Sequence, residues 1–190
     1  MKHIQEAIVP TPIDILPLES LEFVPYIDDS GYLPDRYRSK VGVYAIFDRD
    51  RTLHYIGYSR DIALSLKLHL IRQPHLCHWV KAQTIERPSR TALEQICAAW
   101  IEQNGRIPAG NASKPSAWDN PIDVKPMMAA EELASYADPA IDDRARTKVL
   151  KQVARRVEAE ILAILAERNL QEPLRFHPKL KDKGLLDLQT

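Results

Sequence analysis

Residues 41–69 constrain this chain more than any other stretch. Two short runs rich in β-branched and aromatic residues, GVYAIF (42–47) and LHYIGY (53–58), flank a polar turn, Asp48-Arg49-Asp50-Arg51. Apolar runs of that length around a turn of charged residues read as a β-hairpin. Each strand carries a tyrosine close to a glycine, in Gly42-Val43-Tyr44 and in Tyr55-Ile56-Gly57, and a helical pattern follows at once. Whatever the rest of the chain does, it must complete an antiparallel sheet.

The segments around the hairpin supply candidates. Ser59 or Asp61 can cap a helix running to about Arg72, with Ile62, Leu66 and Ile71 on its apolar stripe and Pro74 beyond it. Trp79 to Ile85 reads as a third strand, stopped before Pro88. A second helix starts near Ser89–Thr91 and places Leu93, Ile96, Ala99, Trp100 and Gln103 at helical spacing before Gly105. The fold class expected is α+β, a small three-stranded antiparallel sheet flanked by helices. An N-terminal arm (1–39) is punctuated by Pro10, Pro12, Pro17, Pro25 and Pro34, which forbid a long helix, and its apolar clusters predict docking. The domain proper spans 40–111, followed by a loop or linker (112–138) in which Trp118 anchors to a surface. A C-terminal helix and tail occupy 139–190. Asp138-Pro139 predicts the helix start, and Leu150, Val153, Val157, Ile161, Ile164 and Leu165 form its apolar face. The tail from Glu172 is expected to be irregular.

Charge is balanced overall but not locally. Residues 1–39 carry a formal −4, residues 40–111 a formal +4, and residues 112–190 none. Only the segment holding the hairpin is basic, the polarity of a weak phosphate-binding surface. Hydrophobic residues make up 45% of the chain, enough for a real core. No apolar run reaches the roughly 20 residues of a membrane helix, and the N-terminus lacks a signal peptide's unbroken apolar stretch. A cytoplasmic protein without a membrane partner is expected. Cys77 and Cys97 are too few for a disulfide scaffold. His75, Cys77 and His78 cluster, but no second ligand pair stands at zinc-site spacing, so they read as a loop with a half-buried thiol.

Taken in order, Gly42-Val43-Tyr44, Tyr55-Ile56-Gly57, Asp61-Ile62, His69, Glu94 in ALEQICAAWI, and Pro108 with Asn111 resemble the core of the GIY-YIG endonuclease family over about residues 40–111. The resemblance implies that family's three-stranded sheet and its metal-dependent cleavage of DNA. It assigns Tyr44 and Tyr55 to the catalytic face, one to the attacking water and one to the phosphate. It gives His69 a part in proton transfer or positioning, and Glu94 the single Mg²⁺ or Mn²⁺. A hard cation that keeps its waters needs little more than one carboxylate, and it stabilises the charged transition state. A tyrosine can act as base only if its pKa of about 10 is lowered by a nearby cation.

The pattern breaks at one position. Where the family carries an arginine against the scissile phosphate, this chain has Ser65, which offers no permanent charge and no bidentate fork. Arg60, Lys67 and Arg72, on or beside the same helix, are the remaining candidates for nucleic-acid contact. Two readings stay open: a divalent-metal-dependent DNA endonuclease of impaired activity, or a catalytically inactive module of the same fold that binds nucleic acid or protein. Each residue also has a structural use. Tyr44 and Tyr55 can be cross-strand aromatics, and Thr91 with Glu94 can form a capping box. DNA is the partner of the first reading. A homodimer or a protein partner through the 139–169 helix is the further expectation.

Overall fold

The computed structural model describes residues 14–189, so the expectations for Pro10 and Pro12 of the arm and for the apolar character of the N-terminus lie outside the described residues. The hairpin forms as its sequence dictates. Strand β1 is the short Val24–Pro25 of the arm, β2 is Gly42–Phe47, β3 is Leu53–Ser59 and β4 is Trp79–Thr84. All pair antiparallel in the order β1-β4-β2-β3, with Tyr44 opposite Gly57 and Ile46 opposite Tyr55. The sheet therefore has four strands among the described residues rather than three. The extra one is a dipeptide of the arm pairing with the edge of β4.

Asp48 builds the hairpin turn. Its Oδ1 accepts from the backbone N–H of Asp50 and of Thr52, both at 2.9 Å, and its Oδ2 meets His54 Nε2 at 2.7 Å. Short acidic side chains favour such turns because they can bond their own backbone two residues on.

Alternation along β2 sends Tyr44 and Ile46 to one face and Val43, Ala45 and Phe47 to the other. Helix α1 (Ile62–Arg72) covers the first face with Ile62, Leu66, Leu70 and Ile71. Asp61 is its cap, accepting from Leu64 N at 3.1 Å. Helix α2 (Arg90–Gln103) covers the second with Leu93, Ile96 and Trp100. Its cap is Ser89, whose hydroxyl accepts from Ala92 N at 3.1 Å, so the capping box expected at Thr91 and Glu94 does not form.

The rest of the chain adds to the first face. Short helices α3 (Ala109–Ala112) and α4 (Pro115–Asp119) lead to strand β5 (Ile122–Asp123) and helix α5 (Ala130–Ala137). The long helix α6 is Asp143–Glu167, capped by Asp142 through Ala145 N at 2.7 Å. It starts later than Asp138-Pro139 suggested: Asp138 instead accepts from Ala140 N in a turn after α5. Val153, Val157, Ile161 and Leu165 of α6 join the core of Tyr44 and Ile46. The tail is more ordered than expected. Helix α7 (Pro178–Lys181) and strand β6 (Leu185–Leu186) return Leu186 and Leu188 to that core, with β6 pairing β5. Among the described residues, no helix is long and apolar enough to cross a membrane.

The arm docks through buried donors. Gln83 Nε2 donates to Asp14 O at 2.6 Å, Trp100 Nε1 to Leu16 O at 2.9 Å, and Lys81 Nζ to Leu18 O at 3.0 Å. Lys81 lies 4.1 Å from the centre of the Phe23 ring, so its ammonium is held by carbonyls and an aromatic face instead of water. Trp100 fills the centre of the second core and is fully buried. Trp100→Ala should therefore cost about 3–5 kcal/mol, read from urea unfolding, with the arm losing protease protection. A loss under about 1 kcal/mol would show that this core does not hold the arm.

Candidate functional site

Tyr44, Tyr55 and His69 come together. Neighbouring strands bring the two tyrosine rings to 6.3 Å between centroids, and α1 delivers His69 to 5.6 Å from Tyr44 and 4.8 Å from Tyr55. The Tyr44 hydroxyl and His69 Nε2 share a hydrogen bond of 2.8 Å. Gly57 makes the space: a Cβ there would lie 2.6 Å from Tyr55 Cε1 and 3.0 Å from Tyr44 Oη.

A strap closes over these groups. Trp118 of α4 stacks on Tyr55 with 5.0 Å between centroids and 7° between planes, and it lies 5.6 Å from His69. The next residue, Asp119, accepts the Tyr55 hydroxyl at 2.6 Å. The strap is anchored on the sheet edge. Asn111 of α3 bonds both polar groups of Ile56, accepting from its N at 2.9 Å and donating to its O at 2.7 Å. Gly110 lets Trp118 approach, since a Cβ at that position would sit 2.5 Å from Trp118 Nε1. Arg72 locks the far side, donating to Trp118 O at 2.8 Å and to both oxygens of Asp187 at 3.2 Å.

Burial governs the electrostatics. It pushes the Tyr44 hydroxyl well above its ordinary range, and the nearby Ser65 hydroxyl offsets only part of that. Burial also raises Tyr55, with the neighbouring Tyr44 hydroxyl and the hydrogen bond to Asp119 adding to the shift. A tyrosine so placed keeps its proton at neutral pH and has no base to offer. His69 is 3% exposed, and burial, reinforced by the Arg72 charge, lowers it from 6.5 to about 3. It is therefore neutral in the fold and titratable once unfolded. Its contribution to stability is fully present above pH 6.5 and is lost as pH falls toward 3.

The other residues singled out in the sequence lie elsewhere. Glu94 sits on α2, which covers the opposite face of the sheet, and it accepts from Arg90 Nε at 2.7 Å. Ser65, where a phosphate-binding arginine was sought, donates to the Ser59 hydroxyl at 2.8 Å. Lys67 is paired with Glu172, Arg72 is committed to the strap and Asp187, and Arg60 is exposed. Asp119 and Asp187 carry no signal in the sequence, whereas Asn111 belongs to the motif of the resemblance and here anchors the strap to Ile56. Trp118, the residue expected to anchor the loop to a surface, is 2% exposed and forms the lid of the cluster.

No family model matches the chain. One relative is the bifunctional monothiol glutaredoxin-S16, chloroplastic, of Arabidopsis thaliana. It is 34% identical over 107 residues, which are 54% of this chain and 32% of that protein. The chain thus spans about a third of that relative's length. These findings correct the reading drawn from the hairpin. The relative bears the name of a glutaredoxin where the resemblance implied a GIY-YIG nuclease. The family assignment, the DNA endonuclease activity, the inactive binding module and the Mg²⁺ or Mn²⁺ ion are set aside with it. The local physics agrees for the activity: the tyrosines are capped and protonated, and Glu94 stands across the sheet. Among the described residues, no group of three or more His, Cys, Asp or Glu side chains could hold a metal ion.

The chemistry of a glutaredoxin needs an accessible thiolate, as nucleophile or as cluster ligand. Neither cysteine fits. Cys77 is fully buried, its Sγ 3.5 Å from His69 O, and burial pushes it up to about 12. Cys97 is half-buried and raised to about 12, first by burial and then by Glu94. The two pack in different cores on opposite faces of the sheet. The residues present therefore do not suit a glutathione-exchanging thiol or an iron–sulfur ligand.

The strap can be tested directly. Asp119→Ala leaves the Tyr55 hydroxyl without its acceptor and should cost about 1–3 kcal/mol in urea unfolding, with Trp118 fluorescence shifting to the red. An unchanged midpoint and spectrum would mean that the strap is not held by this bond.

Proposed function

We propose that this chain is a domain without thiol chemistry of its own, of the kind that accompanies a monothiol glutaredoxin, and that it serves a redox or iron–sulfur setting by contact. The observation that carries the reading is the 107-residue match to a third of a relative named bifunctional, in a chain whose two cysteines are both withdrawn from reaction. A shared segment without a usable thiol belongs with the part of such a relative that is not its thiol centre. Closed helices and a sealed tyrosine–histidine cluster suit a domain that presents a fixed surface. The cytoplasm is the compartment carried over from the sequence; the relative's own name places that protein in the chloroplast.

Thiol titration of the native chain, run beside a glutathione-dependent disulfide-reduction assay, tests the chemical half. No fast thiol and no turnover are expected, and a cysteine reacting as fast as in the unfolded chain would overturn it. Co-sedimentation with a purified monothiol glutaredoxin tests the other half. A complex is expected, and two independent boundaries at tens of micromolar would contradict it.

A further inference from the structure

Helix α6 spends its apolar face inside the molecule, where Leu150, Val153, Val157 and Ile161 are buried. Its outer face carries Arg144, Lys148, Lys151 and Arg155. At 100° per residue these four fall within a sector of about 60°, in a row about 16 Å long. Every neighbour along the row is a like charge at i,i+3 or i,i+4, an arrangement that weakens a helix. The start of the helix is acidic, with Asp142 as its cap and Asp143 in the first turn, so the helix dipole is served there and the repulsion along the row behind it is left uncompensated. Ion pairs within the helix, Arg146 with Asp143 and Arg156 with Glu160, lie off the row and do not account for it.

Cations just off the row are engaged. Arg156 binds Glu132 at 2.7 Å and Glu160 at 2.8 Å, and Arg146 donates to Asp138 O. On the row, Lys151 meets Asp182 at 2.8 Å, while Arg144, Lys148 and Arg155 have no ion pair among the described residues. Arg144, Lys148 and Lys151 line an open depression of about 470 Å³ together with Asp142 and Asp182.

We infer that this row is the docking surface for an acidic protein segment. Its partner is anionic because the row is cationic. Its charge is interrupted, because Asp142 and Asp182 would repel a chain bearing a phosphate every 3.4 Å or so per strand. The row is short, about 16 Å or the reach of about five extended residues, which suits a peptide segment better than the broad face of a membrane. The inference stands on the charge order of α6 and does not depend on any glutaredoxin, so its failure and that of the proposed function are separable.

The test measures fluorescence anisotropy of a labelled peptide of repeating Glu-Ser-Gly units with the full chain, with duplex DNA and phosphatidylserine vesicles as further probes. The peptide should bind and weaken with salt. The double variant Lys148→Glu, Arg155→Glu should weaken it about tenfold or more with unchanged circular dichroism, while Lys148→Arg, Arg155→Lys retains binding. Three results would overturn the inference: equal binding by the charge-reversed variant, binding of DNA or vesicles in place of the peptide, or no binding of any of the three probes.

Discussion

Every residue of β2 is buried, and that one strand sets the requirements for everything else. A strand buried on both faces needs two cores, so one layer over the sheet is not enough. The first is supplied by α1, α6 and the returning tail; the second by α2 and the docked arm. The arm is therefore structural, and its buried partners Lys81 and Gln83 alternate along β4 with residues of the opposite core.

The same constraint explains the character of the tyrosine–histidine cluster. Tyr44 and Tyr55 point into the larger core, where unpaired hydroxyls are costly, so each has found a partner: His69 for one and Asp119 for the other. Trp118 then completes the seal by stacking. What looks in one dimension like a set of reactive groups is in three dimensions a closed hydrogen-bonded interior. Its pKa shifts all oppose reaction: tyrosines upward, histidine downward, buried thiol upward.

Much of the fold could be read from local pattern. The hairpin, α1 with its Asp61 cap, β4 and α2 follow from alternation, helical spacing and turn chemistry. The misses share a cause. Val24–Pro25 is a strand only because β4 offers it an edge, and Leu186 is ordered only because β5 and α6 receive it. Asp138 and Asp142 are both good caps by composition, and tertiary packing chooses the second. At the site, the β2–β3 pairing and helix α1 bring Tyr44, Tyr55 and His69 together, but spacing alone could not place Glu94 on the other face of the sheet. Nor could it reveal Asp119 or the Arg72–Asp187 pair, which spans 115 residues. A motif records residue order; it does not record what folds back over those residues.

The cluster is closed to water, and His69 reports this most directly. An NMR titration of its imidazole from pH 8 to pH 4 should show a neutral ring throughout, because its folded pKa is lowered to about 3. A midpoint near 6.5, the value of an exposed histidine, would contradict the account and show that the Trp118 strap stands open in solution.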